Sequence, residues 1–298
     1  MALGLAALGL AISAAWPARG QERSEHVHHR LLRVEQWDGE AGRVLLTYPR
    51  REDYADHPPG ERYPLVVALH GLGEARKGTR LGPLGWAVDY ALPDAFAALG
   101  RGRLTRGDYG GMVTDAHLAA VNEALGRAPF RGVAVVAPYT PALGGAPEEE
   151  LEAYLAWLAG PLLEQVRAQF PQVAQTAAGT GVDGVSLGGW LALEAGVRHP
   201  EAFGAVGGIQ PAIRDRVEAI GARAEGLRGK PIRLLTSEAD PYLAPTRALS
   251  RRLRGAALPH SLIVTPGDHS YAYNRGPGAV ELLRFHDRVL ARESYEEP

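Results

Sequence analysis

The chain has 298 residues, with 32 Lys plus Arg, 34 Asp plus Glu and a formal net charge of −2. That length suits one large α/β domain or two small ones, with a sizeable core, and the absence of any basic stretch argues against nucleic acid or an anionic membrane surface as a partner. Cysteine is absent, which excludes disulfides, thiolate metal sites and a cysteine nucleophile together.

Ala2 to Ala15 is an apolar, alanine- and leucine-rich run followed by Trp16-Pro17-Ala18-Arg19-Gly20. It is short for a membrane span and reads as the hydrophobic region of a signal peptide over residues 1–20, with Ala18 and Gly20 suiting cleavage before Gln21. Export, with no stable membrane insertion after signal removal, is the expectation. A buried N-terminal helix is the alternative. His26, His28 and His29 follow in a polar stretch. No nearby carboxylate completes a metal shell of recognisable spacing, so an edge-strand or mobile segment is the better reading.

Leu31 to Trp37 and Arg43 to Tyr48 predict two strands joined by a turn at Asp38-Gly39, the signature of a hairpin. Tyr54 to Arg62 reads as a loop. Pro64 to Leu69 and Gly132 to Ala137 are continuous apolar runs, as expected of strands buried on both faces. Ala205 to Ile209, Ile232 to Thr236 and Ser261 to Thr265 are three more. Helical patterns lie over Glu148 to Phe170, Leu187 to His199, Ala212 to Ala222, Pro245 to Leu253 and Ala279 to Glu293. Strands alternating with helices predict a three-layer α/β/α sandwich around a mostly parallel, doubly wound sheet, with the opening hairpin as an antiparallel edge. Residues 21–298 read as one domain. The interval 74–131, with helices expected at Ala87 to Leu99 and Asp115 to Leu125, is an insertion or a lid within it.

One stretch organises the chemistry. Gly184-Val185-Ser186-Leu187-Gly188 matches G-x-S-x-G, the pattern that presents a serine on a sharp strand-to-helix turn. Small residues are needed two positions to either side because the turn brings neighbouring backbone close. After the strand Ile232 to Thr236 comes Ser237-Glu238-Ala239-Asp240, and after Ser261 to Thr265 comes Gly267-Asp268-His269. Reactive groups thus follow in the order Ser, acid, His at the carboxyl ends of strands, where open α/β sheets build their sites. Ser186 is expected to be the nucleophile, His269 the general base and Asp240 the residue that orients the imidazole. Glu238 is the competing acid. Asp268 adjoins His269 too closely to orient its ring and suits a turn. His199 suits a helix C-terminus, and His286 a surface or packing position.

Acyl transfer also needs donors for the tetrahedral oxyanion. The backbone N–H of Leu187 is one, and His70-Gly71-Leu72-Gly73, directly after a buried strand, offers the N–H of Leu72 as the second. Trp86, Asp108, Tyr109, Asp115 and Tyr139 would line a substrate pocket if the insertion folds over the site; solvated or packing positions are the better reading of each.

These islands resemble the esterase D-like family of the α/β-hydrolase superfamily. The similarity lies in L-V-V-A-L-H-G-L-G, in the serine segment running on through R-H-P-E-A-F-G, in S-E-A-D and in G-D-H-S-Y-A-Y. It spans roughly residues 40 to 293. Members often carry Trp two residues after the histidine, where this chain has Tyr271. The resemblance implies a serine hydrolase with Ser186, Asp240 and His269 as its triad, acting on a small-molecule or polymer-linked ester with no metal and no organic cofactor. A peptidase, an acyltransferase and a catalytically silent binding protein are the other readings of the same scaffold.

Overall fold

The computed structural model describes residues 26–50 and 60–295. The expected signal peptide, its cleavage point and most of the Tyr54 to Arg62 loop lie outside the described residues.

Eight strands form one sheet in the order β1-β2-β4-β3-β5-β6-β7-β8. They are β1 (Val27–Glu35), β2 (Ala41–Pro49), β3 (Leu65–Leu69), β4 (Ala134–Ala137), β5 (Thr180–Gly184), β6 (Ala205–Ile209), β7 (Ile232–Ala239) and β8 (Ser261–Asp268). β1 and β2 pair antiparallel, as the hairpin signal predicts, and β2 joins β4 antiparallel. Every pairing from β4 through β8 is parallel. The four central strands are buried along their whole length, which is why β3 and β4 read as unbroken apolar runs; β5, which carries the buried Thr180 and Asp183, does not.

Helices cover both faces. On one face Glu148–Ala159, Pro161–Gln169 and Leu187–Arg198 pack through Leu155, Leu158, Leu162, Val166, Leu191 and Leu193. On the other, Leu92–Gly100, Asp115–Arg127 and Ala279–Val289 pack through Phe96, Leu99, Val121, Leu125, Leu282 and Leu283. The layered sandwich is therefore as expected. One helix differs from its expected course: Glu148 to Phe170 breaks at Gly160 (φ −125°, ψ −86°), and Pro161 starts a second helix. Proline has no N–H to continue the first helix, and its fixed φ suits the first turn of a new one.

The 74–131 interval packs against the second face through buried aromatic and aliphatic side chains. Trp86, Tyr90, Phe96 and Tyr109 are fully buried in it. Tyr109 donates its hydroxyl hydrogen bond to Glu281 Oε1 (2.7 Å), and His117 Nε2 lies 2.8 Å from the same oxygen. The guanidinium of Arg284 and the charge of His117 outweigh burial and hold the Glu281 carboxyl down at about 2. No helix among the described residues is long and apolar enough to cross a membrane.

His70 and His286 are buried and His29 is half-buried, each in a setting that resists protonation. Burial holds His29 and His70 down at about 4 and lowers His286 as well. The unfolded chain takes up these protons near the ordinary histidine value of roughly 6.5, whereas the folded chain does not until about pH 4. Stability is therefore expected to fall as pH drops from about 6.5 towards 4, by up to ~1.4 kcal/mol per pH unit for each histidine. Urea unfolding midpoints at pH 7.0, 5.5 and 4.5 measure this. A midpoint that stays level or rises towards pH 4.5 contradicts it.

Candidate active site

The serine turn has the strain its sequence implies. Ser186 sits at φ 56°, ψ −113°, between β5 and the helix Leu187–Arg198. Its N–H donates to Ile209 O (2.9 Å), and its carbonyl accepts from Trp190 and Ala212. A Cβ on Gly184 would lie 2.4 Å from the Gly188 backbone, and one on Gly188 would lie 2.4 Å from Leu69 O. Glycine two before and two after the serine is thus a packing necessity. A non-glycine residue at such dihedrals persists only when its surroundings over-determine it.

The carboxyl ends of β7 and β8 bring two further groups to this turn. His269 Nε2 lies 3.0 Å from Ser186 Oγ, and His269 Nδ1 lies 3.0 Å from Asp240 Oδ1. With Nδ1 protonated, His269 donates to the carboxylate and leaves Nε2 as the acceptor of the serine proton. Asp240 is itself held: Oδ2 accepts from Thr236 Oγ1 (2.6 Å) and Oδ1 from the Tyr242 N–H (3.0 Å). The Asp240 side chain is fully buried while that of His269 is 28 % exposed, so the row runs from the interior to solvent.

The other sequence candidates lie elsewhere. Glu238 is exposed at the end of strand β7, beside a register shift between Ser237 and Ala239. Asp268 accepts from Ser270 Oγ (2.6 Å), a turn contact. His199 ends its helix 2.9 Å from Glu152. His286 is not on the surface; it is buried against Asp183 (3.0 Å) behind the serine strand. Trp86 and Tyr109 are core residues, Asp108 and Asp115 pair with Arg101 and Arg106, and Tyr139 donates to Ala75 O. No group of three or more His, Asp and Glu residues that could hold a metal occurs among the described residues, the N-terminal His26, His28 and His29 included. His29 instead meets Thr47 Oγ1 at 3.0 Å.

Across from His269 stands the loop after β3. A Cβ on Gly71 would lie 3.8 Å from the Ser186 Cβ, which puts this backbone beside the serine. Its amides are distributed unequally. His70 N–H goes to Thr140 Oγ1 (3.1 Å) and Gly71 N–H to the Tyr90 hydroxyl (2.9 Å). Leu72 is the first residue of the short helix Leu72–Ala75, and Leu187 the first of Leu187–Arg198. First-turn amides have no acceptor within their own helix, and the positive end of the longer helix dipole favours negative charge there. His70 fixes the loop from below. Its Nε2 accepts from the Thr140 N–H (2.9 Å), and burial keeps the ring neutral, so the acceptor is retained.

Sequence reasoning missed several residues that shape this site. Gln210, at φ 44°, donates to both Ser237 Oγ (2.8 Å) and Asp268 O (2.9 Å), bridging the two loops that carry Asp240 and His269. Tyr273 donates to Thr236 O (2.9 Å) and meets Thr265 Oγ1 at 3.0 Å, closing the same ends. Glu74, buried beneath the loop after β3, meets the hydroxyls of Tyr90 and Tyr271. The positive φ at Gln210 leaves no trace in sequence, and a glutamate directly after a H-G-x-G loop was a visible but unread signal.

No protein-family model and no curated protein matches the sequence. Solved structures do match in three dimensions. A ferulic acid esterase superposes with TM-score 0.64 at 15% identity, over 89% of this chain and 100% of its own. S-formylglutathione hydrolase from Staphylococcus aureus gives 0.58 at 13% identity, over 88% and 97%. The enterobactin esterase of Shigella flexneri gives 0.55 at 18% identity, over 87% of this chain and 58% of its own. The chain adopts the α/β-hydrolase fold that these esterases share.

Proposed function

We propose that the protein is a serine hydrolase that cleaves a carboxylic ester through an acyl-enzyme. The observation that carries this reading is the Ser186–His269–Asp240 row, with 3.0 Å at each link and its serine on a strained turn. Ser186 Oγ attacks the ester carbonyl as His269 Nε2 takes its proton. The charge that develops on the carbonyl oxygen is met by the N–H groups of Leu72 and Leu187. When the C–O bond to the alcohol breaks, His269 returns the proton to the leaving oxygen. Water then enters, gives its proton to His269 and attacks the acyl carbon, and Ser186 leaves with that proton. Asp240 keeps the ring in the tautomer that each transfer needs and stabilises the imidazolium between them.

The apolar run at Ala2 to Ala15 supports an exported enzyme, and with it a small-molecule or polymer-linked ester met outside the cytoplasm. The names of the three matched structures cover ferulic acid, S-formylglutathione and enterobactin, three chemically distinct substrates on one fold. A p-nitrophenyl acyl ester series from acetate to decanoate therefore comes first, to rank acyl groups.

The acid assignment has its own test. Asp240→Asn is expected to lower kcat by roughly 10³- to 10⁴-fold, because an amide that donates to Nδ1 imposes the wrong tautomer. Glu238→Gln, at an exposed position, is expected to leave kcat within about twofold. Steady-state kinetics on the best ester of the series compares them. A damaging Glu238→Gln beside a mild Asp240→Asn overturns the assignment.

A further inference from the structure

Glu74 is a carboxylate in an unusual place. It follows the oxyanion-side loop directly and is 1 % exposed. Both of its oxygens are taken by tyrosine hydroxyls from distant parts of the chain. Tyr90 donates to Oε2 and Tyr271 donates to Oε1 (2.6 Å). Lys77 Nζ lies 3.6 Å from Oε1, and is itself paired with Asp89 at 2.7 Å. Tyr271 stands two residues after His269, so this one side chain joins the loop that holds Leu72 to the loop that holds His269. The rings of Tyr90 and Tyr271 lie 5.9 Å apart, and a Cβ on Gly73 would fall 2.2 Å from the Tyr271 hydroxyl. The glycine there lets the tyrosine reach under the loop.

Hydrogen-bond direction gives this cluster its consequence. An ionised carboxylate only accepts, so both hydroxyls must point their protons at it. The Tyr90 oxygen then has lone pairs free for the Gly71 N–H at 2.9 Å. Burial and the Glu74 charge push the Tyr90 hydroxyl well above the usual tyrosine range, and burial and the Glu74 hydrogen bond push Tyr271 up to about 12. Both therefore keep the protons they donate. Leu72 N–H belongs to the next peptide plane, whose carbonyl, Gly71 O, lies 3.0 Å from His70 Nδ1 and accepts from Ala75 N–H (3.2 Å). With the Gly71 N–H held by Tyr90 as well, both sides of Gly71 are anchored and the Leu72 N–H keeps one direction.

We infer that Glu74 is a positioning residue: through Tyr90 it orients the backbone that presents the Leu72 N–H, and through Tyr271 it sets the distance between that donor and His269. This rests on the esterase reading of Ser186. A glutamine at 74 keeps the size but offers one acceptor and one donor group. One tyrosine must then turn its hydroxyl proton away, and the loop loses its single orientation. The effect falls on the transition state, whose oxyanion needs the donor, more than on ester binding.

The test takes Glu74→Gln, Tyr90→Phe and Tyr271→Phe through three measurements. These are kcat and KM on a p-nitrophenyl ester, inhibition by an alkyl boronic acid whose tetrahedral adduct mimics the intermediate, and thermal melting. The expected result for Glu74→Gln is a fall in kcat of roughly 10- to 100-fold, with KM within about twofold. Boronate inhibition should weaken by the factor lost in kcat/KM. Tyr90→Phe should show the same split, and either tyrosine variant substitutes if Glu74→Gln does not fold. A folded Glu74→Gln with wild-type kcat overturns the inference alone, as does a loss of kcat with boronate inhibition unchanged. A wild-type protein that neither turns over ester nor binds the boronate overturns the esterase reading, and this inference with it.

Discussion

Ser186→Ala is expected to lower kcat for ester hydrolysis by at least roughly 10⁴-fold, since the acyl-enzyme route ends when the nucleophile is removed. The fold should survive. The Ser186 side chain caps no backbone amide of its helix, and its hydroxyl is bonded to His269 in a partly exposed position. The strained backbone at φ 56° is enforced by its neighbours' packing and is present with either side chain. Melting within about 3 °C of wild type, beside a rate near the uncatalysed background, is the expected pair of results. Turnover retained within tenfold of wild type would show that another group attacks the ester.

Asp183→Ala is expected to be the most damaging substitution to stability in this part of the molecule. Asp183 lies on β5, three residues before the serine, fully buried, and it meets both Arg233 and His286, which are buried too. Its Oδ1 also accepts from the Gly184 N–H (2.8 Å), directly at the entry to the turn. The Arg233 charge and the His286 hydrogen bond hold the Asp183 carboxyl below its ordinary range against the opposing effect of burial. Alanine would leave the guanidinium of Arg233 buried without a counter-charge, at a cost of about 3–5 kcal/mol. In a chain of this length that is a fall in melting temperature of roughly 5–8 °C. The Asp183→Asn variant should fall in between, because an amide oxygen still accepts. Differential scanning calorimetry of the two variants decides it. A change under about 2 °C for Asp183→Ala would mean that the interior relaxes to hydrate or re-pair Arg233.

Much of this architecture was legible because it depends on local spacing. The central strands β3 and β4 are wholly apolar because both faces are covered, and G-x-S-x-G survives as a pattern because the backbone contacts of Gly184 and Gly188 allow no side chain. The order of Ser186, Asp240 and His269 follows from where parallel strands end. Asp240 and Glu238 differ in which way the chain turns after β7, which no local spacing encodes: the first is buried and the second exposed. Contacts between distant residues were not legible. Tyr271 and Glu74 are 197 positions apart, and nothing local in either segment announces the other. Trp86 and Tyr109 read as possible pocket residues because an aromatic in a glycine-rich interval looks the same whether it faces a ligand or a core. The break at Gly160-Pro161 is masked in the sequence because the apolar periodicity continues across it.

The most direct measurement is intact-mass analysis after treatment with an alkyl fluorophosphonate, comparing wild type with Ser186→Ala. A hydrogen-bonded, activated serine should take up one phosphonyl group per chain, on Ser186, and the variant should take up none. A wild-type chain that stays unmodified while folded, or a Ser186→Ala chain that is labelled as fast as wild type, would contradict an esterase built on this serine.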